Sequence, residues 1–145
     1  MPSDVAEWIG AVRLTRAASE AVEAIQRQDV RYAAAKLPDQ APHGTSLLAV
    51  FAYGLARGIS GSCALESRAQ TEPALRHLCR GNVPTARALR SFRRVHSADI
   101  EKALTRVLES CWDGCEGQAQ LQPALAFEAQ SRLRASLQAD SLSLD

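Results

Sequence analysis

Residues 73–98 carry six arginines and two histidines but no aspartate or glutamate. Arg76 and Arg80 fall one helical turn apart, and Arg87, Arg90, Arg93 and Arg94 crowd into the next stretch. A guanidinium donates hydrogen bonds in a planar fork that matches a phosphate or the major-groove edge of guanine. A helix that merely faces water usually interleaves glutamate with arginine for i, i+4 pairing, so an acid-free run points to an anionic partner. The chemistry on offer is charge-assisted binding rather than bond cleavage. On this reading Arg87, Arg90 and Arg94 face a DNA groove, while Arg93, Arg76, Arg80 and Arg57 touch phosphate.

The charge distribution sharpens that expectation. The 145-residue chain has a net charge of only +1, with 15 arginines against two lysines. Residues 1–56 sum to −1, residues 57–106 to +6 and residues 107–145 to −4. A GC-rich genome inflates arginine and alanine everywhere, so the clustering is more informative than the ratio. If about five arginines neutralise phosphates, log K should fall with log salt at a slope of about −4 to −5.

Other chemistries find less support. Cys111 and Cys115 lie four apart around CWDGC, and Cys63 and Cys79 could complete a four-ligand metal site. The spacing matches no zinc knuckle, and core packing is the default for a free cysteine, so no metal or other cofactor is assigned. His43, His77 and His96 are dispersed; His96, at the border of apolar and basic faces, is expected to hydrogen-bond a helix end. Glu66 is expected to pair with an arginine such as Arg93. No glycine-rich phosphate loop, nucleophile elbow or HExxH motif occurs, so an enzyme is the least supported class.

The elements that must position these residues are helical. Ala and Leu number 43 against 17 for Ile, Val and Thr together, which predicts an all-α fold, a compact bundle of five to seven helices in a single domain, 1–145. Its parts are an N-terminal helical segment (1–40), a core (42–108) and a C-terminal helix with its tail (120–145). Val5, Trp8, Ile9 and Val12 mark one face of a helix capped by Ser3 or Asp4, and 4–35 forms one long helix or two shorter ones. KLPDQAPHG, 36–44, reads as a loop. Thr45 or Ser46 caps a helix over 46–57 that is apolar nearly all round and so belongs at the centre. Ser62 caps the next helix.

Pro73 opens a short helix ending at Gly81, and a three-residue turn leads to 84–96, giving a helix-turn-helix-like pair. In 84–96, Ala88, Leu89, Phe92 and Val95 form the inward half of the wheel and the four arginines the outward half. A further helix buries Ile100, Leu104, Val107, Leu108 and Cys111 and ends near Gly114. The last, about 123–139, has a narrow stripe at Leu125, Ala129, Leu133 and Leu137, suited to docking on a neighbour. The longest apolar run, 47–55, is too short to span a bilayer, and the acidic start does not read as a signal peptide, so a cytoplasmic protein is expected.

Residues 42–108 also resemble a known family. Pro42-His43, the helix LLAVFAYGLARG, Ser62, Leu65 and Glu66, and then Gly81, Pro84, Leu89, Phe92, Arg93, Arg94 and His96 resemble the N-terminal domain of InsH-type bacterial insertion-sequence transposases. That resemblance implies binding to an element's terminal inverted repeats, ahead of a DDE catalytic domain. Cys63-Ala64 stands where the family usually has a basic pair, and Thr85-Ala86 where it has Asp-His. Only 39 residues follow residue 106, too few for the catalytic domain, so the resemblance implies a transposase-like, non-catalytic chain: truncated, a fragment or repurposed. The expected partner is double-stranded DNA. The alternative is a protein-interaction or oligomerisation module whose acidic C-terminal third and Leu125–Leu137 stripe dock a second copy or another protein.

Overall fold

In the computed structural model the described residues are 4–28, 44–111 and 118–142. The loop expected at 36–44 except Gly44, Pro42-His43, Gly114, Cys115, the end of the tail and the Trp8 side chain lie outside what is described. Among the described residues there are seven helices and no strand: α1 (Ala6–Ile9), α2 (Ala11–Gln28), α3 (Gly44–Ala56), α4 (Ser62–Thr71), α5 (Pro73–Leu78), α6 (Ala86–Cys111) and α7 (Gln118–Leu142). The fold is all-α, as composition predicts.

α3 is the central element. Every residue from Ser46 to Ala56 is buried, and α2, α5, α6 and α7 pack around it. Its small residues allow close approach: a Cβ on Gly54 would collide with Cδ2 of Leu65, so glycine lets α4 pack directly on α3. The helix begins at Gly44, which leaves Ser46 buried inside the first turn rather than at a cap. Its far end is closed by other helices. Arg132 of α7 donates to the Leu55 and Ala56 carbonyls at 2.7 and 2.9 Å, and Val5 N–H also donates to Ala56. Val5 thus satisfies a carbonyl that the helix terminus would leave without a partner, and Arg132 adds a charged donor to it and to Leu55.

The N-terminal segment is two helices. Gly10, with φ +90, breaks the chain between α1 and α2. The break also changes the register: Val5 is buried, but Val12 is 79% exposed and does not share its face, because the two residues no longer belong to one continuous helix. α1 is started by Asp4, whose Oδ1 accepts the Ala6 N–H at 2.9 Å.

One of the two boundaries near the basic region differs from expectation. The corner between α5 and α6 runs over 79–85 and is longer than a three-residue turn. α5 closes with its own hydrogen-bonded cap, and α6 starts only after Thr85, whose Oγ1 accepts the Ala88 N–H at 3.1 Å. The break expected at His96 is present: the backbone there is non-helical (φ −117, ψ 28), and α6 is two helical halves that meet across this kink, the second running to Cys111. Beyond the kink Ile100, Leu104, Val107, Leu108 and Cys111 are buried, as their spacing predicts. α7 lies along α6 and buries Leu125, Ala129 and Leu133.

Candidate nucleic-acid interface

The first half of α6 is held from within by aromatic packing. Phe92 stacks on Phe51 of α3 with ring centroids 6.1 Å apart, and His96 tilts against Phe92 at 4.6 Å. The His96 Nδ1 lies 3.6 Å from an Asp99 carboxylate oxygen, across the kink. Ala86, Leu89 and Phe92 are buried, which leaves the opposite side of the helix to solvent. Arg87, Arg90 and Arg94 occupy that side, spread over only about 60° at 100° per residue. Arg87 and Arg94 are exposed and Arg90 is half-buried.

Arg93 is a correction. It is 5% exposed and turned into the molecule, so it is not a phosphate contact. Its Nη1 pairs with the Asp140 carboxylate and donates to Ser136 Oγ at 2.9 Å and to the Ser136 carbonyl at 3.3 Å. The buried arc of α6 is rotated by roughly 80° from the one expected, so Arg93 joins Leu89 and Ala86 inside. Val95, expected inside, is 73% exposed. The cause is α7, which lies over this side of α6 and brings a carboxylate with it. Arg93 also finds Asp140, not Glu66, as its partner.

Asp140 does a second job. Its Oδ1 accepts the Ser62 N–H at 2.9 Å and its Oδ2 accepts the Ser62 hydroxyl at 2.6 Å, at the start of α4. Ser62 is therefore not the cap but the first helical residue, and the cap side chain arrives from α7. Burial alone would raise the Asp140 carboxyl; the Ser62 hydrogen bonds and the Arg93 charge outweigh it and hold the group below the ordinary carboxylate range.

Arg57 is a second correction. Its Nη2 pairs with Asp4 at 3.1 Å, its Nη1 with Glu72, and its guanidinium lies 5.8 Å from the Tyr53 ring centre. Burial works against its charge, but hydrogen bonds to Asp4 and Tyr53 and the Glu72 carboxylate hold it protonated beyond the usual guanidinium range. Tyr53 donates to Glu72 at 2.7 Å and is pushed up to about 12, by burial first and by that bond second. This network ties α1, α3 and α4 together and leaves Arg57 no fork for a phosphate.

Arg76 and Arg80 are both exposed, on the end of α5 and at the corner after it. They line a half-open cleft of about 570 Å³ whose other walls come from α2 and α3. The structure thus keeps Arg87, Arg90 and Arg94 on one outward face, places Arg76 and Arg80 on a cleft, and withdraws Arg93 and Arg57 into structural ion pairs. Asp140, Ser62, Ser136 and Glu72 escape the sequence pattern because their partners lie 15 to 78 residues away. Comparison of this chain with family models, curated proteins and solved structures finds no match.

Metal and nucleophile chemistry gains nothing from the geometry. Among the described residues no group of three or more His, Cys, Asp or Glu side chains converges. Cys63 is exposed, whereas Cys79 and Cys111 are buried and their thiols are pushed up by that burial, which disfavours the thiolate a metal or substrate needs. No helix among the described residues is long and apolar enough to cross a membrane.

Proposed function

We propose that this chain is a non-catalytic DNA-binding module that contacts the duplex with the Arg87, Arg90 and Arg94 face of α6. The observation that carries this reading is the exposure of Arg87 and Arg94 on one side of a helix within an acid-free stretch, 73–98. The rigid backing of Phe92 against Phe51 would let that face enter a groove without internal rearrangement. The resemblance of residues 42–108 to transposase N-terminal domains is in line with it, and a cytoplasmic role in transposition or its control follows from the same resemblance.

With Arg93 and Arg57 withdrawn, the face offers about three phosphate contacts and a salt slope near −3. Titrating binding to random-sequence duplex against salt tests this. The slope should collapse in the Arg87→Ala/Arg90→Ala/Arg94→Ala variant; equal binding by variant and parent refutes the assignment. The alternative interaction role has lost its docking stripe, since Leu125, Ala129 and Leu133 are buried against the chain's own helices and only Leu137 of the four keeps exposure.

A further inference from the structure

Two helices of this chain end in the same hydrogen-bonded cap, but with different residues at its critical position. After α3, Ile59 N–H donates to the Gly54 carbonyl at 2.9 Å and Gly58 N–H to Leu55 at 3.1 Å, with Gly58 at φ +80. After α5, Gly81 N–H donates to the Arg76 carbonyl at 3.0 Å and Arg80 N–H to His77 at 3.1 Å. Here Arg80, at φ +55, stands where α3 uses glycine. It is the one non-glycine with positive φ among the described residues. Any Cβ disfavours left-handed backbone, so glycine would satisfy the cap with less strain. An outlier of this kind calls for an account of what its side chain does.

Arg80, which is exposed, lines the cleft of about 570 Å³ between α2, α3 and the α5 corner. Arg76 lines the same cleft one turn earlier, and neither guanidinium forms an ion pair with a described residue. α2 contributes Glu23 and Gln26, α3 contributes Ser46, and Val22 and Ala49 give apolar wall. Two forked cations suit a phosphoryl dianion. Glu23 disfavours a second anionic end and favours hydrogen-bond donors there. The volume exceeds what inorganic phosphate fills and falls in the range of small-molecule sites.

We propose that this cleft binds a phosphomonoester of mononucleotide size, its phosphoryl group on Arg76 and Arg80, its neutral part over Val22 and Ala49 with donors toward Glu23 and Gln26. The site is separate from the α6 face and does not depend on DNA binding.

Calorimetric titration of the full chain with inorganic phosphate and with AMP, GMP, CMP and UMP tests it. At least one mononucleotide should bind tenfold or more tightly than phosphate, and Arg80→Gly and Arg76→Gln should each weaken that binding at least tenfold. Arg80→Gly relaxes the cap, so its melting temperature should rise, and its loss of affinity cannot be put down to unfolding. The proposal is overturned if no mononucleotide outbinds phosphate, or if Arg80→Gly melts higher yet binds as the parent does. The Arg87→Ala/Arg94→Ala variant should bind the mononucleotide unchanged, which separates failure here from failure of the DNA face.

Discussion

Replacing Asp140 by asparagine should cost this small bundle a large share of its stability. The Arg93 and Asp140 side chains are 6% and 7% exposed, and Arg93 Nε is buried without a hydrogen-bond partner. Asparagine keeps an acceptor for Ser62 N–H, so the substitution chiefly removes the charge and leaves Arg93 buried and uncompensated. Breaking one partner out of a buried pair costs about 3–5 kcal/mol. Unfolding entropy near the midpoint is roughly 0.3 kcal/mol/K for a chain of this size, so the melting temperature should drop by roughly 10–17 °C. The loss should also depend on pH in a set direction. Asp140 titrates below its unfolded value, so its contribution is present above about pH 4 and disappears as pH falls through the folded pKa. Denaturant melts of parent and Asp140→Asn should therefore differ most near pH 7 and converge in acid. Arg93→Met added to Asp140→Asn removes the stranded charge while keeping the acceptor for Ser62 N–H, and should recover most of the loss. If Asp140→Asn melts within about 3 °C of the parent at neutral pH, the pair is hydrated and Arg93 is not an interior residue.

Three other outcomes are expected. The salt slope of duplex binding, near −3 in the parent, should approach zero when Arg87, Arg90 and Arg94 become alanine, measured by anisotropy between 50 and 200 mM salt. Gly54→Ala gains helix propensity but drives a methyl into Leu65, which is fully buried; a net loss of about 1–2 kcal/mol is expected, and with Leu65→Ala added the double variant should lose less than the sum of the two single losses because the clash is gone. Arg132→Met removes a charged donor from two carbonyls that keep their backbone partners, Gly58 N–H on Leu55 and Val5 N–H on Ala56, and should cost about 1 kcal/mol in a thermal melt, with Arg132→Lys intermediate because it keeps charge but loses the fork.

Much of the fold is legible in the sequence because it follows from local pattern. The apolar run at 47–55 predicts the central helix, Pro73 the start of α5, and the Ile100–Cys111 spacing the buried side of the second half of α6. What is not legible depends on distant partners. Arg93 sits four residues from Leu89 and one from Phe92, inside the apolar arc, yet arginine there reads as outward unless Asp140 is known to stand opposite. The same holds for Arg57, whose two carboxylates come from residues 4 and 72. Gly10 was readable as a break only by giving one glycine more weight than a four-residue apolar pattern.

The separation of charge along the chain is thus partly undone by folding. The acidic C-terminal third sends Asp140 back to Arg93, the N-terminal segment sends Asp4 to Arg57, and Glu72 serves both Arg57 and Arg68. Arg57 and Arg93, which packing has partly or fully removed from water, receive carboxylates where an unpaired charge is most costly, and the exposed Arg68 shares Glu72 with Arg57. Arg76, Arg80, Arg87 and Arg94 stay in water, where a charge needs no internal partner. Stability alone therefore accounts for Arg57 and Arg93 but asks nothing of these four. For Arg80 it argues the reverse, since glycine would hold that corner with less strain. A side chain that folding does not require, and at one position opposes, is where an external anion is the economical explanation.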